Sequence, residues 1–379
     1  MARLWRAPVS VTRVLALTPV PEEGAGCRFR IAQFLPHLGS NGFQVTIDPF
    51  FTTEFFQLVY QRGRYGRKAA LMLRQMTRRA RLLSRLQDYD IVFLYREALP
   101  VGPPLIELAM ARRGPALVYD FDDAVFLPNT SEANRIVGFA KWPQKVPAIL
   151  RLCDRVIAGN EYLAAFARRH NPRVTVIPTC VDTSVFIPSS VGDRAGTPMV
   201  GWIGSPTTAK YLQIVAPALQ RVAAAQPFVL RISGSDDLSL PGVPIERQPW
   251  SRSREVELFG ECDVGIYPLP DDDWARGKCG FKAIQFMACG VPVVASAVGV
   301  NQDIVEDGVS GFLAATEDEW VEKLARLIGD ASLRRRMGVA GRRTVEERYS
   351  LAVNAPKLAA VLEDALAVRA ARDRGRALA

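Results

Sequence analysis

The stretch GKCGFKAIQFMACGVPVVAS, residues 277–296, sets a glycine-bearing loop, two lysines and a glutamine ahead of a β-branched run. It reads as a loop, a helix from about Phe281 to Ala288, a stop at Gly290 and a buried strand opening at Val291. Lys282 and Gln285 stand three apart in the first turn and so share one side of the helix. The amino end of a helix offers amide hydrogens and the positive end of the dipole, worth about 0.3–1 kcal/mol per exposed charge, so a phosphate is favoured there. Lys278 and Lys282 add formal charge. The competing reading is a surface lysine pair beside a helix cap.

Three further stretches carry residue types suited to chemistry. YDFDDAVF, residues 119–126, places Asp120, Asp122 and Asp123 at the expected carboxyl end of a strand. Such acids repel one another unless something cationic or hydroxyl-rich lies near, so they mark a candidate site; helix N-capping is the plainer alternative. An Asp-x-Asp after a strand also permits a divalent-metal reading, against which two α/β halves argue. PEEGAGCRFR, residues 21–30, supplies Gly24 and Gly26, where backbone can approach a ligand closely, with Arg28 and Arg30 as anion contacts or solvated cations. GSPTT, residues 204–208, offers amides and hydroxyls from Gly204 and Ser205, or else a turn fixed by Pro206. Arg96 and Glu97 line an acceptor side or do not, and Trp250 lines a base pocket or packs in the core.

The elements that must position these residues alternate between strand and helix. Strand-like runs fall at 11–17, 91–95, 116–119, 155–158 and 174–177, and again at 199–203, 228–232, 264–267, 291–295 and 311–314. This predicts two doubly wound parallel-sheet α/β domains, with ligands beyond the carboxyl ends of the strands, where the two halves face a cleft. Residues 185–198 are rich in Pro, Gly and Ser and read as a linker. The expected organisation is 1–190, 191–350 and a helical segment 351–379 packing back towards the first domain.

Residues 67–85 form the sharpest amphipathic pattern. Ala69, Met72, Leu73, Met76, Ala80 and Leu83 share one face, with Arg67, Arg74, Arg78, Arg81 and Arg85 opposite. The apolar face packs on its own domain, or the helix lies on an anionic membrane.

The chain has 379 residues, 49% hydrophobic and 23% charged, the arithmetic of a globular protein of about two domains. No apolar run reaches the ~18 residues of a membrane span. Residues 1–190 hold 25 Lys and Arg against 15 Asp and Glu, whereas the remainder holds 23 against 24. The basic excess belongs to the first half and suits a polyanionic surface; no nucleic-acid recognition module is recognisable. Six scattered cysteines without a Cys-x-x-Cys pair, and only two histidines, argue against structural zinc and for reduced thiols in a cytoplasmic protein without a signal peptide.

PLPDDDWARGKCGFKAIQFMACGVPVVASAVGVNQDIVEDGVSGFLA, residues 268–314, resembles the donor-binding segment of glycosyltransferase family 4, retaining enzymes of the GT-B fold. The likeness extends through VGWIGSPTTAKYL (200–212), EERYS (346–350) and VIPTCVD (176–182). The resemblance implies two Rossmann-like domains and a nucleoside diphosphate sugar donor, with no cofactor and no essential metal. It implies a glycan or lipid-linked acceptor, and contact with the inner membrane face through the arginines of 67–85. Gln285 then occupies the ribose position in place of the usual Glu, and Gly277 the place of another family Glu. Lys210, Lys278 and Lys282 stand in for a missing Arg at the diphosphate, with the amides of Gly277, Lys278, Cys279 and Gly280. Gly24 and Gly26 face the donor phosphates, and Gly204 and Ser205 join them. Asp122, assisted by Asp120 or Asp123, binds sugar hydroxyls or receives the acceptor proton. Alternatives are a sugar-nucleotide epimerase of the same fold or a non-catalytic membrane-surface relative.

Overall fold

Continuous apolar runs make the interior strands. IVFLY at Ile91–Tyr95 is buried at every position, as a strand covered on both faces of a parallel sheet must be. The computed structural model describes residues 11–59, 61, 63–128, 142–188, 196–235 and 239–377. Within them lie two six-stranded, all-parallel sheets in two compact units, residues 1–177 with 355–379, and 178–354.

The first sheet comprises β1 (Thr12–Thr18), β2 (Phe43–Pro49), β3 (Ile91–Tyr95), β4 (Ala116–Phe121), β5 (Arg155–Ala158) and β6 (Val174–Val176) in the order β2-β1-β3-β4-β5-β6. The second comprises β7 (Met199–Ile203), β8 (Val229–Ser233), β9 (Ile245–Gln248), β10 (Val264–Tyr267), β11 (Val293–Ser296) and β12 (Gly311–Ala314) in the order β12-β11-β10-β7-β8-β9. The strand order reverses between β1 and β3 in one sheet and between β7 and β10 in the other. In such sheets the crevice for a ligand opens outside the carboxyl ends at that switch point. The loops to inspect therefore follow β1, β3, β7 and β10.

The sequence pattern missed β2 and β9. Both are edge strands with polar or half-exposed positions, FQVTIDP and IERQ, and lack the apolar run of a buried strand. The division also falls earlier than residue 190. Val181 pairs with Ser350, and Arg342 donates to the carbonyls of Thr183 (2.8 Å) and Phe186, which ties the segment after Ile177 to the second unit. The linker expected at 185–198 lies partly outside the described residues, as do residues 1–10. In the first unit, the helix Leu351–Ala377 packs from Ala355 onward: Arg369 donates to the Ala111 carbonyl at 3.1 Å, and Arg155 pairs with Asp364 at 2.7 Å.

The basic helix, Tyr65–Leu82, is turned differently from the expectation. Its buried residues are Gln75 and Arg79, while Ala69, Leu73 and Ala80 of the expected packing face are exposed and Met72, Met76 and Leu83 are half-buried. Arg78 is not part of an outward cluster: it donates to Asp48 at 3.0 Å and to the Pro49 carbonyl. The acid at the end of β2, which the sequence pattern did not place, draws the arginines inward.

All six cysteines are buried and none forms a disulfide. No helix among the described residues is long and apolar enough to cross a membrane. The second core packs Trp202, Leu219, Leu230, Ile266, Val294 and Leu324 between sheet and helices, each large aliphatic contributing about 1.5–3 kcal/mol.

Candidate functional site

In the second unit, β10 ends at Tyr267 and the chain returns to the next helix through the loop of residues 268–280. Asp272 caps the short helix Asp273–Arg276 by accepting from Ala275 N at 2.7 Å. The Gly277 and Lys278 amides close that helix, donating to Trp274 O (3.2 Å) and Ala275 O (3.0 Å). Two of the four amides expected to meet phosphate are thus committed to the turn. Gly280 then takes φ +64° and caps Phe281–Ala288. A Cβ there would lie 2.1 Å from Ile304 Cδ1, so the left-handed turn and the tight contact both demand glycine. The amino end of an α-helix is attractive to an anion.

Lys282 and Gln285 share a side as the spacing requires, and Lys282 Nζ donates to Gln285 Oε1 at 2.8 Å. The same ammonium lies 5.0 Å from the Phe259 ring centroid. Gln285 is 0% exposed, and its Nε2 donates to Glu255 Oε1 at 3.3 Å, a carboxylate itself buried at the start of Glu255–Gly260. This corrects the expectation for Gln285: it is a strut within the protein that holds Lys282, with both ends of its amide engaged, and it does not reach for a ribose. Glu255 was missed because an acid in a first helical turn reads as dipole complementarity. An amide at 285 suits this neighbour, since it donates to Glu255 where a second carboxylate would repel it.

The other loops of this end are joined to it. Ser296, at the end of β11, accepts from Leu269 N at 2.8 Å, and buried Asn301 donates to the Ser296 carbonyl at 3.0 Å. Tyr211, next to Lys210, packs against Leu269, Ala275 and Val298. Lys210 is exposed, 5.6 Å from the Tyr211 ring; Lys278 and Lys282 are half-buried, and Cys279 is buried. The loop after β7 is more structural than expected. Gly204 N donates to Ser233 O at 3.1 Å and Ser205 N to Thr208 Oγ1 at 3.1 Å, so neither amide is left for a phosphate. A Cβ on Gly204 would sit 2.3 Å from the Trp202 ring, and one on Gly234 2.1 Å from the Gly204 carbonyl. Ser205 Oγ, exposed beside Thr207 Oγ1 at 2.8 Å, is what that turn still offers. Trp250 is 39% exposed and therefore outside the core.

The first unit resolves the acidic cluster. Strand β4 runs on through Phe121, so Asp120 lies inside it, fully buried. Arg30 grips Asp120 with Nε at 2.9 Å and with Nη2, and gives Nη1 to the Ile177 carbonyl at 2.9 Å. Neither residue takes its expected part: Arg30 is no anion contact and Asp120 no proton acceptor, because each is closed on the other. Asp122 and Asp123 converge on Arg96, whose Nη2 lies 2.7 Å from Asp122 Oδ1 and 2.5 Å from Asp123 Oδ2, while Tyr95 OH donates to Asp122 at 2.7 Å. Arg96 follows β3 with φ +64°, a left-handed residue fixed by these acids and by its amide bond to the Asp120 carbonyl at 2.7 Å. Burial would raise the Asp122 carboxyl, but the charges of Arg96 and Arg30 and the hydrogen bonds from Arg96 and Tyr95 hold it below the ordinary range. A carboxylate so held takes up protons poorly, which suits hydroxyl binding better than base catalysis.

No helix among the described residues starts at these acids, and no group of three or more metal-ligating side chains occurs among them. Glu97 pairs with Lys145 at 2.7 Å. Gly24 and Gly26 do permit a close approach, but to the protein itself: a Cβ would meet Val20 Cγ2 at 2.7 Å and the Tyr95 hydroxyl at 2.5 Å, respectively. Arg28 stacks on Phe29 at 4.5 Å.

Residues 197–330, from just before β7 to the helix after β12, match the family described as glycosyl transferases group 1. The match is confined to this segment of the chain. The group 1 segment contains the loops after β7, β10 and β11 and the Glu255–Gln285–Lys282 chain. Sequences similar over part of their length include the D-inositol 3-phosphate glycosyltransferase of Stackebrandtia nassauensis, 29% identical over 244 residues, covering 56% of this chain and 54% of that one. The Mycolicibacterium smegmatis enzyme of the same name is 29% identical over 206 residues, covering 46% and 45%. The chain thus spans about half the length of these curated relatives. Among solved structures, a glycosyltransferase from Rickettsia africae superposes with TM-score 0.68 at 15% identity over 94% of this chain and 98% of that one. Anabaena HepE in complex with UDP and glucose superposes with TM-score 0.62 at 17% identity over 93% and 99%. The fold around the group 1 segment is GT-B, with two Rossmann-like sheets.

Proposed function

We propose that the chain transfers a sugar from a nucleoside diphosphate sugar to a hydroxyl acceptor, with retention of anomeric configuration and without an essential metal. The donor diphosphate lies at the amino end of Phe281–Ala288. The carrying observation is the placement of Lys282 at that end by Gln285 and Phe259, beside the switch-point loop of a sheet in a group 1 segment. Lys282 meets the charge that grows on the departing diphosphate, with Lys278 and Lys210 at the same end of the sheet. As the glycosidic bond to the diphosphate breaks, a diphosphate oxygen takes the proton of the acceptor hydroxyl while its oxygen bonds the sugar. The protein's part is orientation and charge stabilisation. Asp122, ionised and partly accessible, is assigned to acceptor or sugar hydroxyls. The UDP and glucose held by HepE support the donor class. The acceptor is a glycan or lipid-linked precursor.

The test is turnover of UDP-, GDP- and dTDP-sugars with a hydroxyl acceptor, read as nucleoside diphosphate release and product anomer. Lys282→Ala is expected to lower turnover by about 100-fold, the scale of losing one preorganised charge contact, while keeping the wild-type melting profile. Unchanged donor kinetics in Lys282→Ala overturn the assignment, and an epimerised nucleotide sugar formed from donor alone replaces transfer with epimerisation.

A further inference from the structure

The helix Glu255–Gly260 is short, yet two of its side chains bear on the lysine of the donor site. Glu255 and Phe259 stand four apart and so share one side of it, and both are buried. That side meets Phe281–Ala288, where Lys282, Gln285 and Phe286 share a side in turn. The Phe259 and Phe286 rings meet edge to face, with centroids 4.8 Å apart and planes at 79°. Phe286 is itself hemmed in, since a Cβ on Gly265 of β10 would lie 2.5 Å from its ring. The two helices are thus held against each other, and Lys282 Nζ lies over Phe259 at 5.0 Å.

Glu255 decides which way the amide between the helices points. An ammonium only donates and a carboxylate only accepts, whereas a glutamine amide has one end of each kind. Gln285 Nε2 donates to Glu255 Oε1 at 3.3 Å, which leaves Gln285 Oε1 to face Lys282, from which it accepts at 2.8 Å. Turned over, the amide would set NH2 against ammonium and oxygen against carboxylate and lose both bonds. One buried acid therefore excludes the reversed amide, and the order carboxylate–amide–ammonium lets each bond polarise the other favourably.

We infer that Glu255 is a positioning residue for the donor diphosphate, acting through Gln285 on Lys282. The inference rests on the donor-site reading above and adds to it a side chain that works at one remove from the ligand. A lysine left free loses rotamer freedom when it meets a diphosphate. Lys282, fixed between the Phe259 ring and the amide, has lost that freedom beforehand, so the diphosphate binds more tightly.

The test is calorimetric titration of UDP, GDP and dTDP into the full chain and into Glu255→Leu, Glu255→Gln, Lys282→Ala and the double variant Glu255→Leu with Lys282→Ala. Glu255→Leu is expected to weaken binding of the nucleotide that the wild type takes by about 5-fold, the scale of one hydrogen bond. Glu255→Gln keeps an oxygen that can accept from Gln285 and is expected to recover most of that loss. In the Lys282→Ala background, Glu255→Leu changes affinity by less than about 2-fold, a non-additivity that a general loss of stability does not produce. If melting shows Glu255→Leu unfolded, Glu255→Asp, one methylene short of Gln285, takes its place in the cycle under the same outcomes. Equal weakening with and without Lys282, or wild-type affinity in the Glu255 variant, overturns this inference and leaves the donor site standing. A wild-type chain that binds none of the three nucleotides overturns both.

Discussion

Asp122 illustrates how neighbours decide a side chain's role. The sequence marks three acids as unusual, and the structure divides them: Asp120 is closed on Arg30, while Asp122 and Asp123 hold Arg96 in a left-handed turn. Because the folded Asp122 carboxyl lies below its unfolded value, its stabilisation is complete above about pH 4 and is lost as pH falls through the folded value. Asp122→Asn is therefore expected to lower stability by about 2 kcal/mol at pH 7, with the difference from wild type shrinking as pH falls below the ordinary carboxyl range, as denaturant titrations at each pH will read. Gln285 gives a second test. Gln285→Glu places two carboxyls together in a buried spot beside Glu255, and the melting temperature of the variant is expected to fall at neutral pH and recover partly near pH 5. A variant as stable as the wild type at pH 8 contradicts the strut.

Among the elements, the helix Phe281–Ala288 and the interior strands were legible because burial on both sheet faces writes unbroken apolar runs, and the Lys282–Gln285 pairing follows from helical spacing alone. The edge strands β2 and β9 were not legible, since most of their positions are only partly buried. Missing β2 hid Asp48, and with it the roll of Tyr65–Leu82. Partners distant in sequence, such as Arg30 with Asp120 or Gln285 with Glu255, leave no local period to read. The roll makes a direct prediction: Arg79→Ala uncovers a buried Asp48 contact and is expected to destabilise by about 3 kcal/mol, whereas Arg74→Ala changes stability by less than about 0.5 kcal/mol. Equal effects in thermal melts would mean that the helix is rolled as the apolar pattern first suggested.

For the whole molecule, the two six-stranded parallel sheets differ in strand order and in use. In the first, the close approaches that glycine permits are filled by Val20 and Tyr95, and Asp120, Asp122 and Asp123 are paired with Arg30 and Arg96. In the second, the loops after β7, β10 and β11 tie together, and Lys282 stands in the first turn of one helix, held by Gln285. A nucleoside diphosphate bound to the second unit raises its apparent stability by about 2.7 kcal/mol at a hundred times the dissociation constant. The most direct measurement is calorimetric titration of UDP, GDP and dTDP into the wild-type chain and into Lys282→Ala. The account predicts that at least one nucleotide binds the wild type and binds the variant at least about 10-fold more weakly, the loss of a charge-assisted contact. No heat with any of them at millimolar concentration, or equal affinity in the two proteins, contradicts it.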